Sequence, residues 1–325
     1  MTDPAGRRVT TADVAREAGV SRATVSYALN GDPQGRLTVE TRRLVRRTAD
    51  RLGYQPSAAA RLLRGGRSRT VLALSAPEDG YGGLMGEVFE RFSAGLAGHG
   101  YSLVWQLAVP GAPRPVGELT PAVVITAATA DDPVFASFAS GFDVPVIPAF
   151  EGRDAFLGAA ARRQVDHLAD QGHRQIAFVG PADPQLRSMA SLRRSAARRA
   201  ARRRDLTWVP DLRLPSDRSQ AAALLSQSTE KQDTLAICAY NDDVALFVLA
   251  AARDAGVPVP GSLAVIGVDD VPAAATSSPA LTSVRADLDD FVSESVEAFV
   301  AAAEGRTFQA PQLPRTFTVV ARGSA

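Results

Sequence analysis

The sequence predicts a small all-α unit followed by an α/β core, whose parallel sheets fall into two subdomains. Three observations carry this expectation. Three short helical patterns lie within the first 55 residues. Beyond residue 70, strand-like apolar runs alternate with helix-like stretches, the pattern of parallel sheets covered by helices. The charge divides at the same place. Residues 1–69 hold 14 Arg and 6 acidic residues, whereas the other 256 hold 22 basic and 29 acidic. A chain of 325 residues with 46% hydrophobic composition can bury a substantial core.

In chain order, Thr10 or Thr11 can cap a first helix through ADVAREAG, which Gly19 ends; Val14, Ala15 and Ala18 form its apolar stripe. Ser21 caps a second helix to about Leu29, closed by Asn30-Gly31. Asp32-Pro33-Gln34-Gly35 reads as a loop. Thr38 caps a third helix, VETRRLVRRTADRLG, with Val39, Leu44, Val45, Ala49 and Leu52 at helical spacing. In YQPSAAARLLRGGRSR, Pro56 can start a helix and Gly65-Gly66 stop it. One or two isolated turns are marginal in water, so this linker orders only when something holds it. The strand runs are VLALSA, YSLVWQLAV, AVVITA, VPVIPAF, QIAFVG, LAICAY and LAVIGVDD. Between them lie helical stretches such as GEVFERFSAGLAGHG, GAAARRQVDHLADQG, DDVALFVLAAARDAG and DDFVSESVEAFVAAAEG.

On a helical wheel the second helix gathers Val25, Ala28 and Leu29 on one side. Arg22, Ala23, Ser26 and Tyr27 spread over an opposite arc of roughly 140°. Such a helix, packed on Val14 and Ala18, completes a helix-turn-helix suited to the DNA major groove. Arg22 can donate two bonds to guanine, and Tyr27 offers a phenol and a ring. Ser21, Thr24 and Ser26 are short hydroxyls that can reach phosphates. In the linker, Leu63 lies between Arg61 and Arg64, an apolar wedge beside cations as a minor-groove binder requires. The alternative for that segment is a linker helix that caps the core.

The runs TTADVAREAGVSRATVSYALNG and YQPSAAARLLRGGRS resemble the headpiece and hinge helix of the LacI family of bacterial transcription regulators. HLADQGHRQIAFVG, AYNDDVALFVLAAARDAGVPVPGSLAVIGVDD and SPALTSVRADL continue the resemblance over almost the whole chain. The resemblance implies base reading by Arg22, Ala23 and Tyr27, a hinge leucine at Leu63, and a dimer on a near-palindromic operator in double-stranded DNA. It also implies a core similar to periplasmic sugar-binding proteins, with a small-molecule cleft between two subdomains. Arg193, Asn241 and Asp269 match ligand-holding positions, and Leu288 stands where some members stack an aromatic. The chain departs from the family at Ala196-Ala197, which replaces a Gly-Phe pair, and lacks a Val-Asp-Asn run in PAFEGRDAFLGAAARRQVDHL. A sugar-like effector is favoured, and repression is the expected mode because it is the commoner one in the family.

The expected division is a headpiece over 1–55, a hinge and linker over 56–67, and a core over 68–325. Within the core, 68–162 plus 277–305 form the first subdomain, and 163–276 plus 306–325 the second. The lone Cys238 excludes an internal disulfide and a Cys-based zinc site, and the three histidines have no metal spacing. No HExxH, GxSxG or GxxxxGK[ST] motif occurs, so neither an enzyme nor a cofactor is expected. With no signal region at the N-terminus and no run of about 18 apolar residues, the expectation is a cytoplasmic protein without a membrane partner. The rival class is a solute-binding protein with this core; it would need a signal peptide and would lack residues 1–66. Eight arginines between Arg187 and Arg204 read first as a solvated helix face.

Overall fold

The computed structural model describes residues 9–30, 37–54, 68–76, 83–107, 120–127, 142–210, 212–229 and 234–325. The chain forms two compact units, residues 1–68 and 69–325.

The first unit contains α1 (Thr11–Glu17), α2 (Arg22–Asn30) and α3 (Val39–Leu52). Val14, Ala15, Val25, Ala28, Val45 and Ala49 make its core, with Val20 and Tyr54 packed on the edge. Gly19 joins α1 to α2 at φ +65°, a conformation that costs a side-chain-bearing residue energy. Two contacts pin the C-terminal end of α3 to α1. Arg51 donates to Glu17 at 2.8 Å, and the hydroxyls of Thr11 and Tyr54 lie 2.8 Å apart. The periodicity places Val39 and Leu44 in the apolar stripe of α3, but they are 61% and 42% exposed. Val45 and Ala49 of that stripe are buried, with Thr48 beside them, because three short helices leave only a narrow seam to fill. Thr38 caps α3 by accepting from Thr41 N at 3.2 Å. A Thr38→Ala substitution should destabilise this unit by about 1 kcal/mol. Thermal melting of the isolated segment 1–68 and its variant would measure that loss.

The second unit opens with β1 (Thr70–Ser75), α4 (Gly83–Gly98), β2 (Ser102–Leu107), β3 (Val123–Thr126) and β4 (Val146–Pro148). These strands form a parallel four-stranded sheet in the order β2-β1-β3-β4. The chain then crosses to α5 (Arg153–Asp170), β5 (Gln175–Val179), α6 (Arg187–Arg203), β6 (Thr207–Trp208), α7 (Arg218–Thr229) and β7 (Leu235–Ala239). It continues through α8 (Asp242–Asp254), β8 (Leu263–Val268), α9 (Pro272–Thr276), β9 (Thr282–Ala286), α10 (Asp289–Ala303) and β10 (Phe317–Val320). The second sheet has the order β10-β9-β8-β7-β5-β6 and is parallel except for β10 on β9. Its central strands alternate strictly. Ile176 and Phe178 of β5 enter one apolar cluster, while Ala177 and Val179 enter the other. Burial on both faces is why these strands read as unbroken apolar runs. Cys238 lies fully buried in the first of those clusters, and burial pushes its thiol pKa up, away from reactivity.

The observed division of the core corrects the expected one at two places. Residues 282–286, expected in the first subdomain, form β9 and pair with β8 in the six-stranded sheet. Helix α5 packs chiefly against α6, β10 and β9, with only Phe156 and Leu157 of its first turns joining the apolar cluster of the first sheet, so the crossing lies near Arg153 instead of cutting the helix at 162. Helix α10 returns to the first sheet, where it packs on α4 and β3. A strand end whose Thr282 and Ser283 are fully buried needs the hydrogen-bonding edge that β8 supplies. Among the described residues, no helix is long and apolar enough to cross a membrane.

Candidate functional site

Two surfaces gather the residues singled out by sequence. The first is the outer face of α2. Val25 and Ala28 are buried against the neighbouring helices, which turns Arg22 and Ala23 fully outward and leaves Tyr27 37% exposed. Ser26 is half-buried beside them. Ser21 starts the helix: its Oγ accepts from Thr24 N at 3.0 Å and lies 2.9 Å from Thr24 Oγ1. Ser21 and Thr24 therefore carry a capping task as well, which fixes the position of Arg22 in the first turn. Arg61, Leu63 and Arg64 lie outside the described residues.

The second is a cavity of about 160 Å³ in the core, at the carboxyl ends of strands from both sheets. Arg193, Asn241, Asp269 and Leu288, spread over 96 positions of sequence, all line it. Its walls are largely apolar, from Leu84, Met85 and Val88 of α4 to Phe150, Phe156 and Met189. At about 10–15 Å³ per water-sized group, the cavity takes roughly a dozen non-hydrogen atoms, the size of a monosaccharide.

Each polar residue is held by its own local structure. Asn241 is the N-cap of α8: its Oδ1 accepts from Val244 N at 3.0 Å, and its Nδ2 donates to Asp243 at 3.5 Å. Its carbonyl is thus committed to the helix, leaving the amide hydrogens as the part that can serve a ligand. Arg193, buried on α6, donates Nη1 to the Tyr240 carbonyl, and its guanidinium stands 4.8 Å over the Tyr240 ring. Asp269 follows β8 at φ +108°, a strained position for a side-chain-bearing residue. The next residue anchors that turn. Asp270 accepts from Arg322 at 2.7 Å and faces Arg285 at 3.8 Å.

Two buried polar atoms of residues in this lining lack a partner among the described residues. Arg193 Nε and Asp269 Oδ1 are both buried without a hydrogen bond. Such groups each cost about 1–3 kcal/mol in the absence of a ligand. Burial raises the Asp269 carboxyl to about 7, with Arg193 opposing and Asp242 and Asp243 reinforcing the shift. The folded chain therefore keeps a proton that the unfolded chain releases above the ordinary carboxylate range. Stability falls as pH rises through that window and levels off above about 7.

Behind the cavity, the rim of the second sheet is tied down. The Gln164 amide of α5 donates to the carbonyls of Ala239, Ile266 and Gly267 at 2.9, 3.0 and 3.3 Å. The buried Asp242 carboxylate accepts from Ser283 Oγ at 2.6 Å and Val271 N at 2.8 Å. Its Oδ1 also presses on Gly267 so closely that a Cβ there would overlap it.

Sequence reasoning missed Phe150, Arg153, Phe156, Tyr240 and Asp243 in the lining. Asp243 and Tyr240 adjoin Asn241 in the quoted AYNDD, so proximity was the available signal; the others required the fold. The departures from the family are compensated in part. Leu288 is an aliphatic wall where an aromatic is absent, and Phe150 and Phe156 supply rings from elsewhere. Ala196 and Ala197 belong to the packed side of α6 and do not line the cavity.

Residues 10–57 match the family profile described as bacterial regulatory proteins, lacI family, and residues 165–325 match a periplasmic binding protein-like domain. An uncharacterized HTH-type transcriptional regulator from the aml 5′ region of Streptomyces limosus is 30% identical, covering 96% of this chain and 93% of its own. Among solved structures, the lac repressor dimer bound to operator and the anti-inducer ONPF superposes with a TM-score of 0.73 at 22% identity. It covers 98% of this chain and 99% of its own. The complex of the transcriptional regulator CelR with cellobiose superposes at 0.60 and 23% identity, covering 98% of this chain and all of that one, 100%.

Proposed function

We propose, from the premise that the chain belongs to the lacI family of bacterial regulatory proteins, that it is a dimeric repressor released from or loaded onto a palindromic operator by a small hydroxylated ligand. Membership itself makes it a helix-turn-helix transcription regulator. The relatives it matches are regulators.

In this reading Arg22 and Tyr27 read bases, Ala23 offers a methyl contact, and Ser21, Thr24 and Ser26 set the register on phosphates. Residues 56–67 form the hinge, where Leu63 enters the minor groove between Arg61 and Arg64. The observation that carries the effector half is the convergence of Arg193, Asn241, Asp243 and Asp269 on one largely apolar cavity. A vicinal diol suits this lining: one oxygen accepts from the Arg193 guanidinium while its neighbour donates to the Asp269 carboxylate. A monosaccharide also presents an apolar ring face to Phe150, Phe156 and Leu288. The lac repressor and CelR complexes, which hold ONPF and cellobiose, support a sugar-like ligand here. The ligand acts through its different affinities for the DNA-bound and free arrangements.

Two experiments test this. Selection of bound duplexes from a randomised pool should enrich one palindrome, and the operon beside its genomic copy should indicate the ligand. Enrichment of no sequence would leave only backbone electrostatics and overturn the base-reading roles. Ligand affinity should also depend on pH. Because the Asp269 carboxyl sits at about 7, ligand binding that needs the ionised form should weaken as pH falls below it, approaching tenfold per unit. Isothermal titration between pH 5.5 and 8.5 would check this, a flat profile removing Asp269 as the acceptor.

A further inference from the structure

Helix α6 contributes to more than the ligand cavity. Turned away from Arg193, its Arg199 and Arg203 join Arg162 and Arg163 of α5 and Arg315 before β10 along one groove of about 670 Å³. Among the described residues, none of these five arginines is in an ion pair. The carboxylates in the lining are Asp154 and Asp166, and Asp166 already faces Arg204 at 4.0 Å. Small residues form the floor. Gly158 and Ala196 let α5 and α6 approach so closely that a Cβ on Gly158 would touch the Ala196 methyl at 3.7 Å. The groove is therefore deep enough for a compact ligand to meet guanidinium groups from three elements at once.

Composition alone does not account for this placement. The chain beyond residue 69 carries more acidic than basic residues, yet here five cations converge with little neutralisation. Like charges held together in a concave wall repel one another and raise the local potential for an anion. Guanidinium groups suit phosphate oxygens because their planar forks bind two at a time. A concave groove favours a compact polyanion over duplex DNA, whose phosphates need an extended surface.

We propose that the groove between α5 and α6 binds an oligophosphate-bearing small molecule, a second ligand distinct from the one in the core cavity. Arg199 and Arg203 hold it on the same helix that carries Arg193, so its binding and that of the cavity ligand share one rigid element.

The test is isothermal titration of inorganic tripolyphosphate into the full-length protein at about physiological ionic strength. The same titration is run on an Arg199→Gln/Arg315→Gln variant whose melting curve matches the parent. Both substitutions lie on exposed side chains, and Arg162→Gln/Arg203→Gln is the second pair should the first fail to fold. Saturable binding by the parent, weakened at least tenfold in the variant while operator affinity is unchanged, is the expected result. Equal binding by parent and variant would place the anion elsewhere, such as the basic headpiece, and overturn the proposal. So would no binding by the parent, or a loss of duplex DNA affinity in the variant that tripolyphosphate reproduces by competition.

Discussion

An Arg193→Ala protein will hold its operator as before and lose its response to effector. The guanidinium is the buried cation of the cavity, and a charge-assisted hydrogen bond from it is worth about 1.5–3 kcal/mol, or roughly 10- to 150-fold in affinity. A second effect adds to this. Arg193 opposes the upward shift of the Asp269 carboxyl, so removing it leaves that group more fully protonated near neutral pH and a poorer acceptor for a ligand hydroxyl. Together the losses should exceed about 100-fold. Arg193→Lys should recover part, since it returns a charge without the planar fork. Fluorescence anisotropy of labelled operator, titrated with the effector, reads both properties in one experiment. Undiminished response in the alanine variant would reduce the cavity to a packing feature.

The second large effect is on sequence discrimination. On the base-reading role proposed for Arg22, Arg22→Ala should remove a bidentate contact worth about 1–3 kcal/mol, lost in both half-sites of the proposed dimer, about 2–6 kcal/mol in total. Operator affinity should fall by roughly 30-fold at the least, while binding to unrelated duplex changes little. The headpiece will stay folded, because Arg22 is outside the core that Val25 and Ala28 form with α1 and α3. Competition of operator against random duplex at fixed salt measures the ratio. An unchanged ratio would move the base-reading role to other residues of α2.

How far the sequence reveals this molecule depends on the range of the interactions involved. Helices α1 to α3 are legible because caps, glycines and a three-to-four residue stripe are local, and Thr10, Ser21, Thr38 and Gly53 mark their ends. Val39 and Leu44 are misread because periodicity reports which residues share a face, not how much partner surface exists to cover them. Strand β9 escapes because TSVRA lacks the apolar run of a strand buried on both faces; its Thr and Ser are satisfied by Ser324 and Asp242, far away in sequence. In the cavity, the resemblance to the family singles out Arg193, Asn241 and Asp269, but not what each has left to offer. That Asn241 spends its carbonyl on a helix cap while Asp269 keeps an unpartnered oxygen is decided by three-dimensional neighbours. Phe150 and Phe156 illustrate the same limit: nothing in PAFEGRDAF distinguishes a ring in a cavity wall from one in the core.

The closeness of Asp242 to Gly267 bears on the history of the chain as well as on its stability. The carboxylate that fastens β9 and the loop after β8 fills the volume where any side chain at 267 would have to stand. Position 267 therefore cannot drift by single steps: an alanine arriving first displaces the carboxylate, and a shorter residue arriving first at 242 strands Ser283 and Val271. The two sites constitute an epistatic pair 25 residues apart, fixed together or exchanged together, and among descendants of this gene the glycine should be retained wherever the aspartate is.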